Sequence, residues 1–408
     1  MTTSQRQFYV VLAIMVLAGS VSIMSTDLYA PSLPYLTGHF STTPELIKLT
    51  ISLNLVVYGF AQLVYGPLSD RFGRRPVFLV TLLLFVMASF ACGLATNVNQ
   101  LIIARVLQGS FAAAEAVICL AVFKDLFSEQ EQIKGYAIYG MAIALTPALA
   151  PILGGYIHVL VGWEYNFYLT GSVGLITAFL IFNFLPESAV PDKNALQLKS
   201  ILTTYKRIML NRKFMVFGCL TGVSLSAIFV FVTAAPFILI DYFGIQVQHF
   251  GYYQAVIVLS FFLGSMLATK LVGRWNSMHI LNLGLTFTVV GSVLVMGLIF
   301  ISGLSVNSLV FAYLFIAFGI GPVFASATSK AMTSVNQSAG SAGAVFGTLE
   351  IGLSGLIAVL VSVFHDGTPR PFGAVIGLIA VLLIILGWSA NRLAKQGSVT
   401  EKNVSCSI

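Results

Sequence analysis

The sequence predicts an all-α membrane protein with twelve transmembrane helices, arranged as two six-helix halves around a central cavity. Three observations predict it. Of 408 residues, 58% are apolar and 36 are glycine, whereas Asp, Glu, Lys and Arg together make up 9%. A soluble domain carries roughly 25% charged residues, so this chain has about a third of the charge that a solvated surface needs. One crossing takes about 20 apolar residues, and the apolar supply is enough for about twelve. Second, the apolar residues fall into twelve runs of helix length, six on each side of a polar stretch at 187–213. Third, Lys and Arg occupy one set of alternate loops almost exclusively, leaving only Lys48 and Arg370 on the other side.

The runs of the first half are Phe8 to Tyr29, Leu49 to Leu68, Val77 to Ala95, Leu101 to Phe123, Tyr136 to Val161 and Phe167 to Leu185. Each is continuously apolar over about 20 residues, which suits a helix, since a barrel strand alternates over about ten. The first run is expected to be a retained helix and not a signal peptide, because it lacks a small-x-small cleavage site and many similar runs follow. The second half contributes Phe214 to Phe237, Tyr252 to Val272, Ile280 to Ile301, Leu309 to Ser329, Ala339 to Phe364 and Phe372 to Leu393. The expected units are therefore a half at 1–186, a linker at 187–213, a half at 214–394 and a tail at 395–408. In the linker, Leu198, Ile201, Leu202, Tyr205, Ile208 and Met209 recur at helical spacing among Lys199, Lys206 and Arg207. That pattern fits an amphipathic helix on the membrane face, with a plain solvated tether as the alternative. Short loops rich in Lys and Arg stay in the cytoplasm, so both termini and the linker are expected there.

Several classes are excluded. The net charge of +7 is spread singly or in twos between apolar runs, which argues against a nucleic-acid partner. Cys92, Cys119, Cys219 and Cys406 lack metal-ligand spacing and the five histidines are far apart, so no metal or cofactor is expected. The tail Cys406-Ser407-Ile408 is one residue short of a prenylation box. No enzyme motif and no Walker sequence appears.

Within this frame the loop after the second run is the most specific signal: Gly66-Pro67-Leu68-Ser69-Asp70-Arg71-Phe72-Gly73-Arg74-Arg75-Pro76. Its glycines allow a tight reversal and close helix approach, its arginines suit carboxylates or helix C-termini, and Asp70 suits the N-terminus of a second-half helix. Such contacts would exist only in one closed state and would bias a rocking equilibrium. The first run ends Thr26-Asp27-Leu28-Tyr29-Ala30-Pro31-Ser32-Leu33-Pro34, the fourth holds Arg105-Val106-Leu107-Gln108-Gly109, and the fifth holds Ala150-Pro151-Ile152-Leu153-Gly154-Gly155. Pro186-Glu187-Ser188 closes the half. A weak repeat is also visible: Pro31 precedes Arg71 much as Pro236 precedes Arg274.

In these motifs the chain resembles the major facilitator superfamily, and within it the twelve-helix drug:proton antiporters of the bicyclomycin/chloramphenicol-resistance branch. Ala150 departs from that branch's usual Gly, and the second half matches less specifically, through Ala235-Pro236-Phe237 and the small-residue run from Ala339. The resemblance implies a cytoplasmic gating motif at Gly66, Asp70, Arg71, Gly73, Arg74 and Arg75, and an antiporter motif at Pro151, Gly154 and Gly155. It further implies a monomer in a bacterial inner membrane, surrounded by lipid, that exports drugs or other amphipathic small molecules in exchange for protons. A carrier for a siderophore, amino acid or sugar is the nearest alternative, and a channel or a non-transporting scaffold a more distant one.

Charged groups inside the runs cost roughly 2.5–3.5 kcal/mol each at a helix centre and are seldom incidental. Asp27, Arg105, Glu115 and Glu350 qualify. The depths of Asp27 and Arg105 allow a pair, read as the charged core of the first half or as a purely structural ion pair. Glu115 shares a helical face with Gln108, Ala112 and Arg105, expected to line the cavity. It stands where the family usually has a small or uncharged residue, and Glu350 where it often has Gln. For both acids a proton or cation role, a neutral hydrogen-bonded carboxyl and a contact with cavity water are the open readings. Asn54, Tyr58 and Gln62, at steps of four, form a polar stripe suited to hydrogen-bonding a ligand. Gly154, Gly155, Gly343 and Gly347 read as helix-packing positions.

Overall fold

The computed structural model describes residues 3–189, 192, 195–301, 304–335 and 339–405. Cys406 and the end of the tail lie outside them. In chain order the helices are α1 (Thr3–Asp27), α2 (Leu33–His39), α3 (Pro44–Phe72), α4 (Arg74–Gly93), α5 (Val98–Leu126), α6 (Glu129–Leu160), α7 (Glu164–Phe184) and α8 (Leu198–Met209). They continue with α9 (Arg212–Pro236), α10 (Val247–Leu271), α11 (Ser277–Ile301), α12 (Val306–Thr333), α13 (Ala339–Gly347), α14 (Leu353–Val363) and α15 (Arg370–Ser405). A 3-10 turn, Ala30–Ser32, joins α1 to α2, and π-helical turns follow α9 (Phe237–Tyr242) and link α13 to α14 (Thr348–Gly352). Among the described residues twelve spans are long and apolar enough to cross a membrane, so the chain is a multi-pass membrane protein.

Local chemistry sets the helix ends. Pro44 opens α3, where its missing N–H is no loss and its fixed φ suits the first turn. Asn97 and Asn211 accept backbone N–H bonds from Gln100 and Phe214 at the starts of α5 and α9. Gly73, at φ +96°, reverses the chain between α3 and α4. Gly273, at φ +84°, sits at the corresponding turn after α10, a conformation that L side chains avoid.

The two halves repeat one packing plan. In the first, α1 packs on α5, α6 and α7, α5 on α3 and α4, and α4 on α7. In the second, α9 packs on α12, α14 and α15, α12 on α10 and α11, and α11 on α15. These are the same six pairings in the same order, so the weak Pro31/Pro236 repeat reflects a duplicated bundle. With twelve crossings, the α3–α4 turn, α8 and both termini share one end, called here the motif end; the α14–α15 turn lies at the far end.

Two seams join the halves. Along the first, α3 meets α13 and α14 so closely that a Cβ on Gly59 would strike the backbone of Gly352, and one on Gly355 would lie 2.6 Å from the Val56 nitrogen. Thr348 Oγ1 donates to the Gly59 carbonyl at 2.9 Å, and Ser52 and Ser362 meet at 3.2 Å. Small residues that let backbones touch are how helices associate where lipid removes the hydrophobic drive. Along the second seam α6 meets α10, with Gly155 against Val247, Gly251 against Pro151 and Ile152, and Tyr156 bonded to Tyr252 at 3.1 Å. The Gln254 amide on α10 also reaches the Pro147 carbonyl of α6 at 3.5 Å. Closer to the motif end, a Cβ on Gly140 would meet nothing within 4 Å.

Gly154 faces the Leu28 carbonyl directly, leaving no space for a side chain. Gly154→Val is therefore expected to push α6 off the end of α1 at about 1–3 kcal/mol, the usual range for overpacking. A thermal melt in detergent should show the loss, and an unchanged midpoint would mean that the contact is easily relaxed. Gly343, by contrast, has nothing within 4 Å, so packing does not explain it.

Candidate functional site

Arg105 is the centre of the first half. It is fully buried on α5, and its guanidinium spreads over four acceptors: Nη1 donates to the Ser25 carbonyl at 2.7 Å and to Gln108 Oε1, Nε to the Thr50 carbonyl at 3.3 Å, and Nη2 to Thr26 Oγ1 at 3.3 Å. Tyr29 and Phe167 lie beneath it at 5.3 and 5.8 Å from their ring centres. One side chain thus fastens α1, α3 and α5, using the rigid fork that lysine lacks.

This arrangement corrects three sequence expectations. Arg105 makes no ion pair with Asp27; backbone carbonyls and neutral oxygens take its donors, although Asp27 lies near enough to feel its charge. Gln108 does not line a cavity, because it is fully buried and its Nε2 donates to Ser89 Oγ at 2.8 Å on α4. Asn54 is also turned inward, donating to the Arg105 carbonyl at 2.7 Å, with Gly109 packed against it. Helical spacing identifies a shared face but not the neighbour it meets, and here that neighbour is the half's own interior.

Asp27 joins the halves instead. Buried at the far end of α1, its Oδ1 accepts from Gln254 Nε2 on α10 at 3.2 Å, and Gln254 also leans on the Pro147 carbonyl. A second link closes the far end: Lys48 on α3, 2% exposed, bonds through Nζ to His365 Nδ1 at 2.6 Å and lies 4.7 Å from the Phe237 ring centre. A cavity of about 20 Å³ sits beside them, bordered by Phe237, Tyr242 and Thr368. Sequence reasoning missed Gln254 and His365, since their partners are more than two hundred residues away and neither stands in a motif.

The Lys48–His365 bond needs an unprotonated Nδ1. Burial, and then the Lys48 ammonium, hold the His365 imidazole below its ordinary 6.5, while Glu45 and Asp366 pull the other way. A group that binds protons less readily in the closed state favours closure above its free value and loses that contribution as pH falls below it. The far end is thus expected to open as pH drops from 8 to 5, read as a widening distance between spin labels on the α2–α3 and α14–α15 turns. His365→Gln should flatten the response; an unaltered pH profile in that variant would remove His365 from the closure.

Glu115 is the anomaly of the site. It is fully buried on α5, and neither carboxylate oxygen has a hydrogen-bond partner. Its surroundings are Tyr58, Tyr139 and Cys119, all within electrostatic reach. Glu350 stands in the π-turn across the first seam, partly exposed, and its charge also reaches Tyr58. Tyr58 is therefore the one residue of the expected stripe that answers to both acids. Gln62, one turn further, is buried against Gly347 of α13.

At the motif end the gating residues divide. Asp70 pairs with Arg74 at 2.6 Å, and Arg74 also reaches Asp125 at 3.2 Å and Ser69. Arg75 donates to the Phe182 carbonyl, and Arg71 leans on the Phe72 ring. Among the described residues Asp70 has no ion pair with the second half; a cavity of about 240 Å³, bordered by Asp70, Asp192, Tyr205 and Ser341, lies there instead. Gly66 likewise meets no neighbouring helix: a Cβ there would find nothing within 4 Å. At Gly73 a Cβ would lie 2.5 Å from the Glu187 carboxylate, which accepts the Arg74 and Arg75 backbone N–H groups at 2.8 and 3.2 Å and so caps α4. Asp125 and Glu187 complete this cluster, and only the sequence position of Glu187 had singled it out. Among the described residues no group of His, Cys, Asp or Glu could hold a metal.

Two equivalent six-helix bundles, joined along two seams and carrying buried charges within the spans, define a secondary transporter and not an enzyme. The chain belongs to the Major Facilitator Superfamily, which it matches over residues 15–359. It is 28% identical over 393 residues to the uncharacterized MFS-type transporter YdgK of Bacillus subtilis, covering 94% of this chain and 97% of that one. It is 27% identical over 364 residues to the bicyclomycin resistance protein homolog of Haemophilus influenzae, covering 88% and 90%. A solved bacterial homolog of the human lysosomal transporter Spinster has the same fold, with a TM-score of 0.71 at 13% identity over 95% of this chain and 97% of that one.

Proposed function

We propose that this transporter exports drugs or other amphipathic small molecules from a bacterial cytoplasm in exchange for protons, by alternating access, with the motif end and both termini on the cytoplasmic side. The observation that carries the reading is Glu115, a carboxyl enclosed in the first half with no partner on either oxygen. A charge at such a place is uncompensated, so the group serves as the point where the driving proton is loaded and released. Asp27, bonded across the halves, and Glu350, in the facing π-turn, are the other two acids that rocking would expose or cover. The distant relative named for bicyclomycin resistance supports export of drugs, and the Lys and Arg asymmetry supports the orientation. One chain holds both halves, so a monomer suffices.

The test is concentrative transport in proteoliposomes with an imposed pH gradient, using ethidium and chloramphenicol as probes. Accumulation of at least one, saturable and abolished by nigericin, is the expected result. Saturable counterflow of a siderophore, amino acid or sugar, with neither probe moved, would replace the exporter with a metabolite carrier; current without saturation would indicate a channel.

A further inference from the structure

Helix α8 lies between the halves at the motif end and touches both. Its Tyr205 hydroxyl donates to the Leu63 carbonyl of α3 at 2.9 Å, while Ile208, fully buried, joins the second half's core beside Phe214. The helix also packs on α9 and α13. One face is thus spent on the protein. The strip beside it is not: Leu198, Leu202 and Met209 are 68%, 56% and 55% exposed. They fall within an arc of about 40° at 100° per residue, a continuous apolar stripe. Leu210, just past the helix, is 73% exposed as well.

Charge accompanies the stripe. Between Leu196 and Phe214 the chain carries Lys199, Lys206, Arg207, Arg212 and Lys213 and no acid. All five are exposed, and none takes part in an ion pair among the described residues. Lys199 and Lys206 border the apolar stripe on one side, about 100° and 80° from Leu198, where lysine stems lie along acyl chains while their ammonium groups reach the headgroups. Water would pay no return for exposing four large apolar side chains, and an acidic soluble protein would not match a stripe at membrane level.

From this juxtaposition we infer that α8 is a docking surface for anionic phospholipid of the cytoplasmic leaflet, through which lipid charge holds the helix down over the seam between the halves. The inference rests on the orientation proposed above, but its test reads lipid binding and not transport, so the two can fail separately. Each basic residue at an anionic surface contributes about fivefold in affinity. The full chain, purified in mild detergent, is offered phosphatidylglycerol and phosphatidylcholine in equal amounts, and retained lipid is counted by native mass spectrometry.

The wild type should retain phosphatidylglycerol preferentially. The variant Lys199→Gln/Lys206→Gln/Arg207→Gln should lose that preference by at least about tenfold, whereas Lys124→Gln/Lys270→Gln/Arg274→Gln, at the same end but off α8, should keep it. If the triple variant fails to purify as a folded monomer, Lys206→Gln alone should show a loss of about fivefold. Equal retention of the two lipids by the wild type, an unchanged preference in the α8 variants, or an equal loss in the control would each overturn the inference.

Discussion

Arg105→Ala is expected to abolish transport and to destabilise the first half more than loss of any exposed arginine. The substitution strips donors from Ser25, Thr26 and Thr50 on neighbouring helices and from Gln108 on α5 itself, all buried. Each buried acceptor left without a donor costs about 1–3 kcal/mol, and the void beneath Tyr29 and Phe167 adds to that. Arg105→Lys is the sharper experiment. It keeps the charge but offers one donor atom where four directions are needed, so folding should survive while transport falls at least tenfold, which corresponds to about 1.4 kcal/mol. Wild-type transport by the lysine variant would show that charge alone suffices. Because Asp27 and Arg105 do not touch, Asp27→Asn and Arg105→Gln are expected to combine nearly additively in thermal stability; a coupling above about 1 kcal/mol would mean that they meet in the other conformation.

Glu115→Gln is expected to separate transport from its driving force. The amide keeps the size of the carboxyl but cannot gain or lose the proton, so uphill, pH-driven export should stop while downhill substrate exchange continues. If the carboxyl instead holds a cationic substrate, the same variant should weaken ethidium binding and spare chloramphenicol, which is neutral. Unchanged rates and pH dependence for both compounds would move the proton to Asp27 or Glu350. The comparison has leverage because no hydrogen bond depends on this side chain: neither oxygen has a partner to lose.

The twelve spans were legible because each is a long apolar run, and burial in lipid demands nothing subtler. Their ends were less so. The seventh run reads as Phe214 to Phe237, yet α9 begins at Arg212 and its π-turn continues to Tyr242, since capping by Asn211 and the bending after Pro236 do not depend on hydropathy. The interruption of the eleventh span at Thr348–Gly352 was invisible for a related reason: it is where Gly59 of α3, having no Cβ, comes against the Gly352 backbone, a property of the partner. At the site, a charge inside an apolar run marks itself, so Asp27, Arg105, Glu115 and Glu350 stood out. Their company did not. That Asn54 would serve Arg105, and that Asp27 would turn to Gln254, depends on contacts between segments that the sequence keeps far apart.

The closeness of the first seam decides where a compound dissolved in the bilayer does not enter. Along α3 and α14 the backbones meet at Gly59, Gly352 and Gly355, leaving no crack for a lipophilic guest at any depth between Ser52 and Gln62. Along α6 and α10 backbones also meet, with Gly251 against Pro151 and Ile152 and Gly155 against Val247. A molecule partitioned into the bilayer thus meets a sealed wall at α3 and α14, so no route to the interior crosses that seam.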